Sequence, residues 1–162
     1  VLETQDVMKI LTNEPDAPID LKEKALQLAG RIIEFDPDVR GGQGYTIARD
    51  ILESGRALTK MNAIIDAQGR NNTPMRVGKL HYDICAQTTG SISAIDNLKI
   101  ASIARLAGAP MDKGAGVYLH KKVGDKVKQG EPLFTIYAEF NADFTFAKNA
   151  AMTDNSYQIE HL

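Results

Sequence analysis

Gly41-Gly-Gln-Gly44 stands directly ahead of a stretch of helical period, an arrangement in which backbone N–H groups at a helix N-terminus can hold phosphate or another anion. Its spacing fits neither the P-loop nor the dinucleotide fingerprint, and no strand-like run precedes it, so a helix–helix turn is expected. His81, His120 and His161 have no partner at helical spacing and no paired cysteines, which leaves zinc chemistry unsupported. Cys85, the single cysteine, cannot form an internal disulfide and is expected to be a small buried hydrophobe rather than a reactive thiol. His120, Lys121 and Lys122, with Lys126 and Lys128, form a local basic cluster interleaved with Asp125 and Glu131. With no ladder of stacking aromatics beside it, the cluster reads as a solvated hairpin rather than a nucleic-acid patch. Glu3 and Asp6 read as acids of a first helical turn, favoured by the positive end of the helix. No catalytic constellation emerges from these residues, and no cofactor is expected.

A second chemistry is suggested by Val123-Gly-Asp-Lys-Val-Lys-Gln-Gly-Glu-Pro-Leu133, which reads like the turn-rich sequence of a biotinyl or lipoyl carrier domain. Such a carrier requires a lysine at the tip of the following hairpin. Counting from Ile136 that place holds Phe140, and Lys148 falls in a different context. Without an amine there is nothing to acylate, so the small sandwich fold is retained as an expectation and the swinging arm is not.

The elements that must position these residues divide the chain in two. Up to about Asn72 the period is helical, with segments over Leu2 to Leu11, Leu21 to Phe35, Ile47 to Leu52 and Leu58 to Ile65. Asp20 is read as the N-cap of the second, with Glu23 as its capping-box partner. Leu21, Ala25, Leu28, Ala29 and Ile32 repeat at steps of three and four and form one apolar stripe. From Val77 the period becomes two: Leu80, Tyr82, Ile84 and Ala86 alternate with His81, Asp83 and Cys85, and Gly90 to Ile95 follows as a second strand. Asp96 is expected to cap a helix ending at Gly108. Val117 to Lys122 and Leu133 to Tyr137 read as two further strands, joined by turns at Gly124 and Gly130. Asn141 to Met152 reads as weakly helical, and Tyr157 to Glu160 as a last short strand. Asn71-Asn-Thr-Pro74 is turn chemistry, and Arg70 to Arg76 is taken as the hinge. The fold class expected is α+β, a helical N-terminal half followed by a β-rich barrel-sandwich, or hammerhead, half with one or two helices.

The 162 residues are 43% hydrophobic and 25% charged, with a formal net charge of -2, the composition of an ordinary globular chain. No global field draws it to nucleic acid or an anionic membrane. No apolar run approaches the roughly 20 residues of a membrane span, and no signal peptide is visible, so a cytoplasmic location is expected. Beginning at Val1, inside what reads as a helix, the sequence is expected to be part of something longer.

Glu53-Ser-Gly-Arg-Ala-Leu58, Ala67-Gln-Gly69, Gly90-Ser-Ile-Ser-Ala-Ile-Asp96 and, most specifically, Leu119-His-Lys-Lys-Val-Gly-Asp125 with Gly130-Glu-Pro-Leu133 resemble the C-terminal part of the thymidine and pyrimidine nucleoside phosphorylases. Lys113-Gly-Ala-Gly116 and Leu133-Phe-Thr-Ile-Tyr-Ala-Glu139 make the chain most similar to their archaeal branch, the AMP phosphorylases. The resemblance covers nearly the whole chain. It implies that residues 1–75 are a helical segment of the phosphorylase α/β domain and that 76–162 are the C-terminal hammerhead-like domain. It implies a parent enzyme, a pentosyltransferase, that splits AMP, CMP or UMP with phosphate as co-substrate, or thymidine in the alternative reading, and that forms a homo-oligomer. A non-catalytic hammerhead interaction module is the other alternative. The family's phosphate- and base-binding motifs have no counterpart here, so the resemblance implies no catalytic residue and an inactive isolated chain. Its cation site maps one residue onto this sequence, Asp6, as a metal ligand.

Overall fold

The computed structural model describes residues 1–160, and the chain separates into two compact units, a helical one over Glu3–Thr73 and one made of residues from Pro74 onward together with Val1–Leu2. The first unit is helical: α1 (Leu2–Leu11), α2 (Ile19–Ile33), α3 (Gly44–Glu53) and α4 (Arg56–Gln68). Its centre is small, formed by Ile10, Leu26, Ala48 and Leu52, with Ala29, Ile33, Tyr45 and Ala57 packed around them. α2 and α3 meet through two glycines. A Cβ on Gly44 would lie 2.1 Å from the Gly30 carbonyl oxygen, and one on Gly30 would lie 2.6 Å from the Tyr45 nitrogen. Only the absence of both side chains lets the two backbones approach this closely.

One expectation for α2, its cap, is corrected. The helix starts earlier than its acids suggest, because the Lys22 N–H already donates to the Pro18 carbonyl at 3.0 Å. Pro18, extended at φ -66° and ψ 106°, therefore holds the N-cap position, and no side chain caps the helix. Asp20 sits inside the first turn, while Glu23 accepts a 2.7 Å hydrogen bond from the Tyr45 hydroxyl instead of closing a capping box. Leu26 and Gly30 are buried, whereas Leu21, Leu28 and Ile32 of the apolar stripe are exposed. α2 is apolar around a wide arc, and helical spacing alone does not say which part of the arc meets a neighbour.

The second unit, residues 74–160, holds two three-stranded antiparallel sheets and two helices. β5 (Pro132–Ala138) lies between β1 (Leu80–Cys85) and β3 (Gly116–Leu119). β2 (Gly90–Ile95) lies between β4 (Lys126–Val127) and β6 (Tyr157–Glu160). The fold is thus α+β as the sequence implies, with two separate sheets rather than a closed barrel. β3 and β5 do pair, Tyr118 opposite Thr135, but the chain between them crosses to the other sheet to form β4, which the sequence reading leaves as turn. Alternation along β1 places Ile84 inside and Cys85 outside. Cys85 is exposed, which corrects the expectation that it is buried.

The core is filled from both sheets and both helices, with Ile92, Val127, Leu133, Phe134 and Ile136 almost fully enclosed. α5 (Asn97–Leu106) contributes Ile103, and α6 (Asn141–Thr153) contributes Ala147 and Ala151. Asp96 caps α5 as expected, its Oδ1 accepting from the Leu98 and Lys99 N–H groups at 3.0 and 3.1 Å. Among the described residues no helix is long and apolar enough to cross a membrane.

Candidate functional site

The richest polar constellation lies across the β1-β5-β3 sheet. Thr135, on the central strand and only 3% exposed, stands opposite Asp83 on one side and Tyr118 on the other. Its hydroxyl donates to Asp83 Oδ1 at 2.5 Å, and the same oxygen lies 2.7 Å from His120 Nε2, just past β3. A hydroxyl carries one proton. With that proton committed to the carboxylate, the Thr135 oxygen accepts from His120 Nε2–H, so a neutral imidazole keeps its lone pair on Nδ1. Tyr118 meets the imidazole edge to face, with ring centroids 5.0 Å apart. The arrangement can hold and orient an imidazole. It cannot make Thr135 a nucleophile, because the side chain is shut away from solvent.

Sequence reasoning misses this trio, since Asp83 and Thr135 are 52 residues apart and only the β1/β5 register brings them together. A Thr135→Val variant is expected to cost about 1–2 kcal/mol through loss of the hydrogen-bonded hydroxyl. It should also release the His120 tautomer, read as a change in the imidazole nitrogen chemical shifts. Thr135→Ser should restore the tautomer, and an unchanged imidazole in the valine variant would refute the link.

The basic cluster resolves into local pairs. Lys121 reaches Glu131 at 3.1 Å, and Asp125 Oδ2 accepts the Lys122 N–H at 2.7 Å. Glu131 is held below the ordinary carboxylate range by the Lys128 N–H first and by Lys121 second. Tyr157 closes the back of this turn. Its hydroxyl donates to the Lys121 carbonyl at 2.9 Å, and its ring stacks on Phe134 at 5.8 Å. Burial, with the nearby charge of Asp125 second, pushes the phenol up to about 12.

The neutral phenol is thus favoured by folding. Stability from Tyr157 is complete below pH 10, the ordinary value, and is lost as pH rises through the folded value near 12. Allowing for partial exposure, the loss is on the order of 1–2 kcal/mol. Alkaline denaturation of Tyr157→Phe should therefore be flatter than wild type between these limits, and identical slopes would contradict the assignment.

The glycine loop already contains its anion. Glu34 Oε1 accepts the N–H groups of Gly42 and Gly44 at 2.8 and 3.2 Å, so a carboxylate of the preceding helix fills the place a phosphate would take. Phe140 stands immediately before α6, and Lys148 lies within α6 with its ammonium 3.8 Å from the centre of the Tyr82 ring. β5 runs into α6 rather than into a hairpin, and the junction carries a phenyl group where a carrier would present its amine.

Asp6 lies in α1, half-buried. No group of three or more His, Cys, Asp or Glu side chains among the described residues is arranged to hold a metal ion. His81 lies on β1 with its ring 6.2 Å from Tyr137, and His161 lies outside the described residues.

Residues 91–160 match the pyrimidine nucleoside phosphorylase C-terminal domain. Three bacterial relatives named "putative thymidine phosphorylase" align over almost the whole chain. The protein of Methylococcus capsulatus is 58% identical over 98% of the chain, that of Albidiferax ferrireducens 55% over 98%, and that of Rhodopseudomonas palustris 52% over 99%. In each case the chain spans 31% of the relative's length.

Proposed function

The chain belongs to the pyrimidine nucleoside phosphorylase family, whose C-terminal part it matches, and from that premise we propose that it is the structural C-terminal part of a pentosyltransferase. The observation that carries the reading is identity of 52–58% over 98–99% of the chain with proteins about three times its length.

In the proposed reaction phosphate attacks the anomeric carbon of the sugar. A C–O bond to phosphate forms, the N-glycosidic bond breaks, and its electron pair leaves with the base. Positive charge develops on the sugar in the transition state, and acceleration requires groups that stabilise that state more than the bound substrate. The described residues hold no such converging set. The trio of Asp83, Thr135 and His120 is built around a sealed hydroxyl, and the glycine loop is satisfied by Glu34. We therefore assign the chain a scaffolding role, as one wall of a substrate cleft and a surface for homo-oligomer formation, and expect it to be inactive alone.

The substrate proposed is AMP, with CMP and UMP, giving the free base and ribose 1,5-bisphosphate. This rests on Lys113-Gly-Ala-Gly116 and on Leu133 to Glu139, which resemble the AMP branch. The second reading is thymidine, giving thymine and deoxyribose 1-phosphate, and the names of the three bacterial relatives favour it. Phosphate-dependent base release by the full-length protein, with AMP against thymidine, decides between them. Release from AMP supports the first reading and release from thymidine the second. Turnover of neither would remove the enzyme proposal and leave an interaction module.

A further inference from the structure

The outer face of α2 carries an apolar stripe that nothing in the helical unit covers. Leu21, Ala25, Leu28 and Ile32 repeat at steps of three and four, and Phe35 continues the row just past the helix end. Leu28 is 58% exposed, Ile32 66% and Phe35 84%. The same helix already buries its other apolar side, Leu26 and Gly30, against α3. A helix apolar on two sides is the pattern of one enclosed on two sides, since a helix at a surface keeps its second side polar. A row of this size left in water also exceeds the scattered apolar residues of an ordinary surface.

The question is what covers it. The chain spans only 31% of the length of relatives to which it is more than half identical, so a family member carries over twice as much further chain. The stripe is bordered by Lys24 and by Arg31, which is 84% exposed and pairs with Glu34 at 3.8 Å. We propose that the stripe of Leu28, Ile32 and Phe35 is the docking surface for the part of the phosphorylase chain that this sequence does not span, so that α2 is an interior helix of the whole enzyme. The inference rests on the family reading above and says nothing about substrate.

The test joins this chain to the rest of the Methylococcus relative and reads thiol labelling. In a Cys85→Ser background, Ile32→Cys samples the stripe and Gln27→Cys samples the polar side of the same helix. In the joined protein Ile32→Cys should label roughly tenfold or more slowly than Gln27→Cys, whereas in the 162-residue chain the two should label alike. Equal rates in the joined protein would overturn the proposal. Protection of Ile32→Cys in the 162-residue chain that grows with concentration would overturn it too, by assigning the face to a second copy. Labelling needs no turnover: a joined protein that protects Ile32→Cys but releases no base would keep the docking surface and remove the activity proposal.

Discussion

Gly44→Ala is expected to force α2 and α3 apart and to destabilise the helical unit by about 1–3 kcal/mol or more, the usual cost of overpacking a close contact. An alanine at a helical position gains up to about 1 kcal/mol over glycine from backbone entropy. That gain cannot offset the clash here, because the atoms met are backbone: the Gly30 carbonyl oxygen at 2.1 Å and its carbon at 2.8 Å. No rotamer change relieves them. Separation would also draw the Gly44 N–H away from Glu34, adding an unsatisfied donor at the start of α3. Gly41→Ala is the control, since a Cβ there meets nothing within 4 Å. Amide exchange in α2 and α3 should accelerate in the first variant and not in the second. Equal protection in both would show that the helices do not need the contact.

The largest effect in the β-rich unit is expected from Phe134→Ala. Phe134 is fully buried on the central strand of its sheet and stacks on Tyr157, so truncation removes its transfer free energy and leaves a cavity. The cost for such a change is about 3–5 kcal/mol, against a total of roughly 5–15 kcal/mol for a domain. Amide protection across Pro132–Ala138 should fall by two to three orders of magnitude, on the scale of about 1.4 kcal/mol per tenfold. Phe140→Ala, only six positions along but 57% exposed, should stay within about 0.5 kcal/mol of wild type. A comparable loss in both would mean that the junction between β5 and α6, and not the core, holds the strand.

Much of this architecture is legible in the residues. The change from helical period to alternation near Val77 separates the two units, and Asp96 announces α5 because its side chain must accept the free N–H groups of the first turn. Alternation even contains the exposure of Cys85: once Ile84 is inside, its neighbour points out. What fails is any step that needs to know a partner. The stripe from Leu21 to Ile32 is legible as one face, but periodicity records which residues align and not what lies against them. Asp20 looks like a cap because local preference favours it, yet Pro18 offers a carbonyl two residues earlier and the helix begins there. The trio of Asp83, Thr135 and His120 leaves no local trace at all, for its geometry is a property of strand register. The phosphate-cradle reading of Gly41 to Gly44 is settled by Glu34, ten residues before Gly44, a distance at which no motif is written.

The pairing of β1 with β5 has a consequence for how the molecule comes into being. Asp83 emerges from the ribosome 52 residues ahead of the threonine it will meet, a wait on the order of 3–10 s at synthesis rates of about 5–20 residues per second. β2 meets β4 first, with Gly90 opposite Val127, and its other edge stays open until β6 arrives, where Ser93 bonds a carbonyl 65 residues later. The helices ahead of them close through short-range contacts and can form at once. β1 must therefore stay unpaired on the nascent chain until β5 arrives, and β2 until β4 does. Slowed elongation between Ile95 and Pro132 should lower the yield of folded protein more than the same delay placed before Leu80.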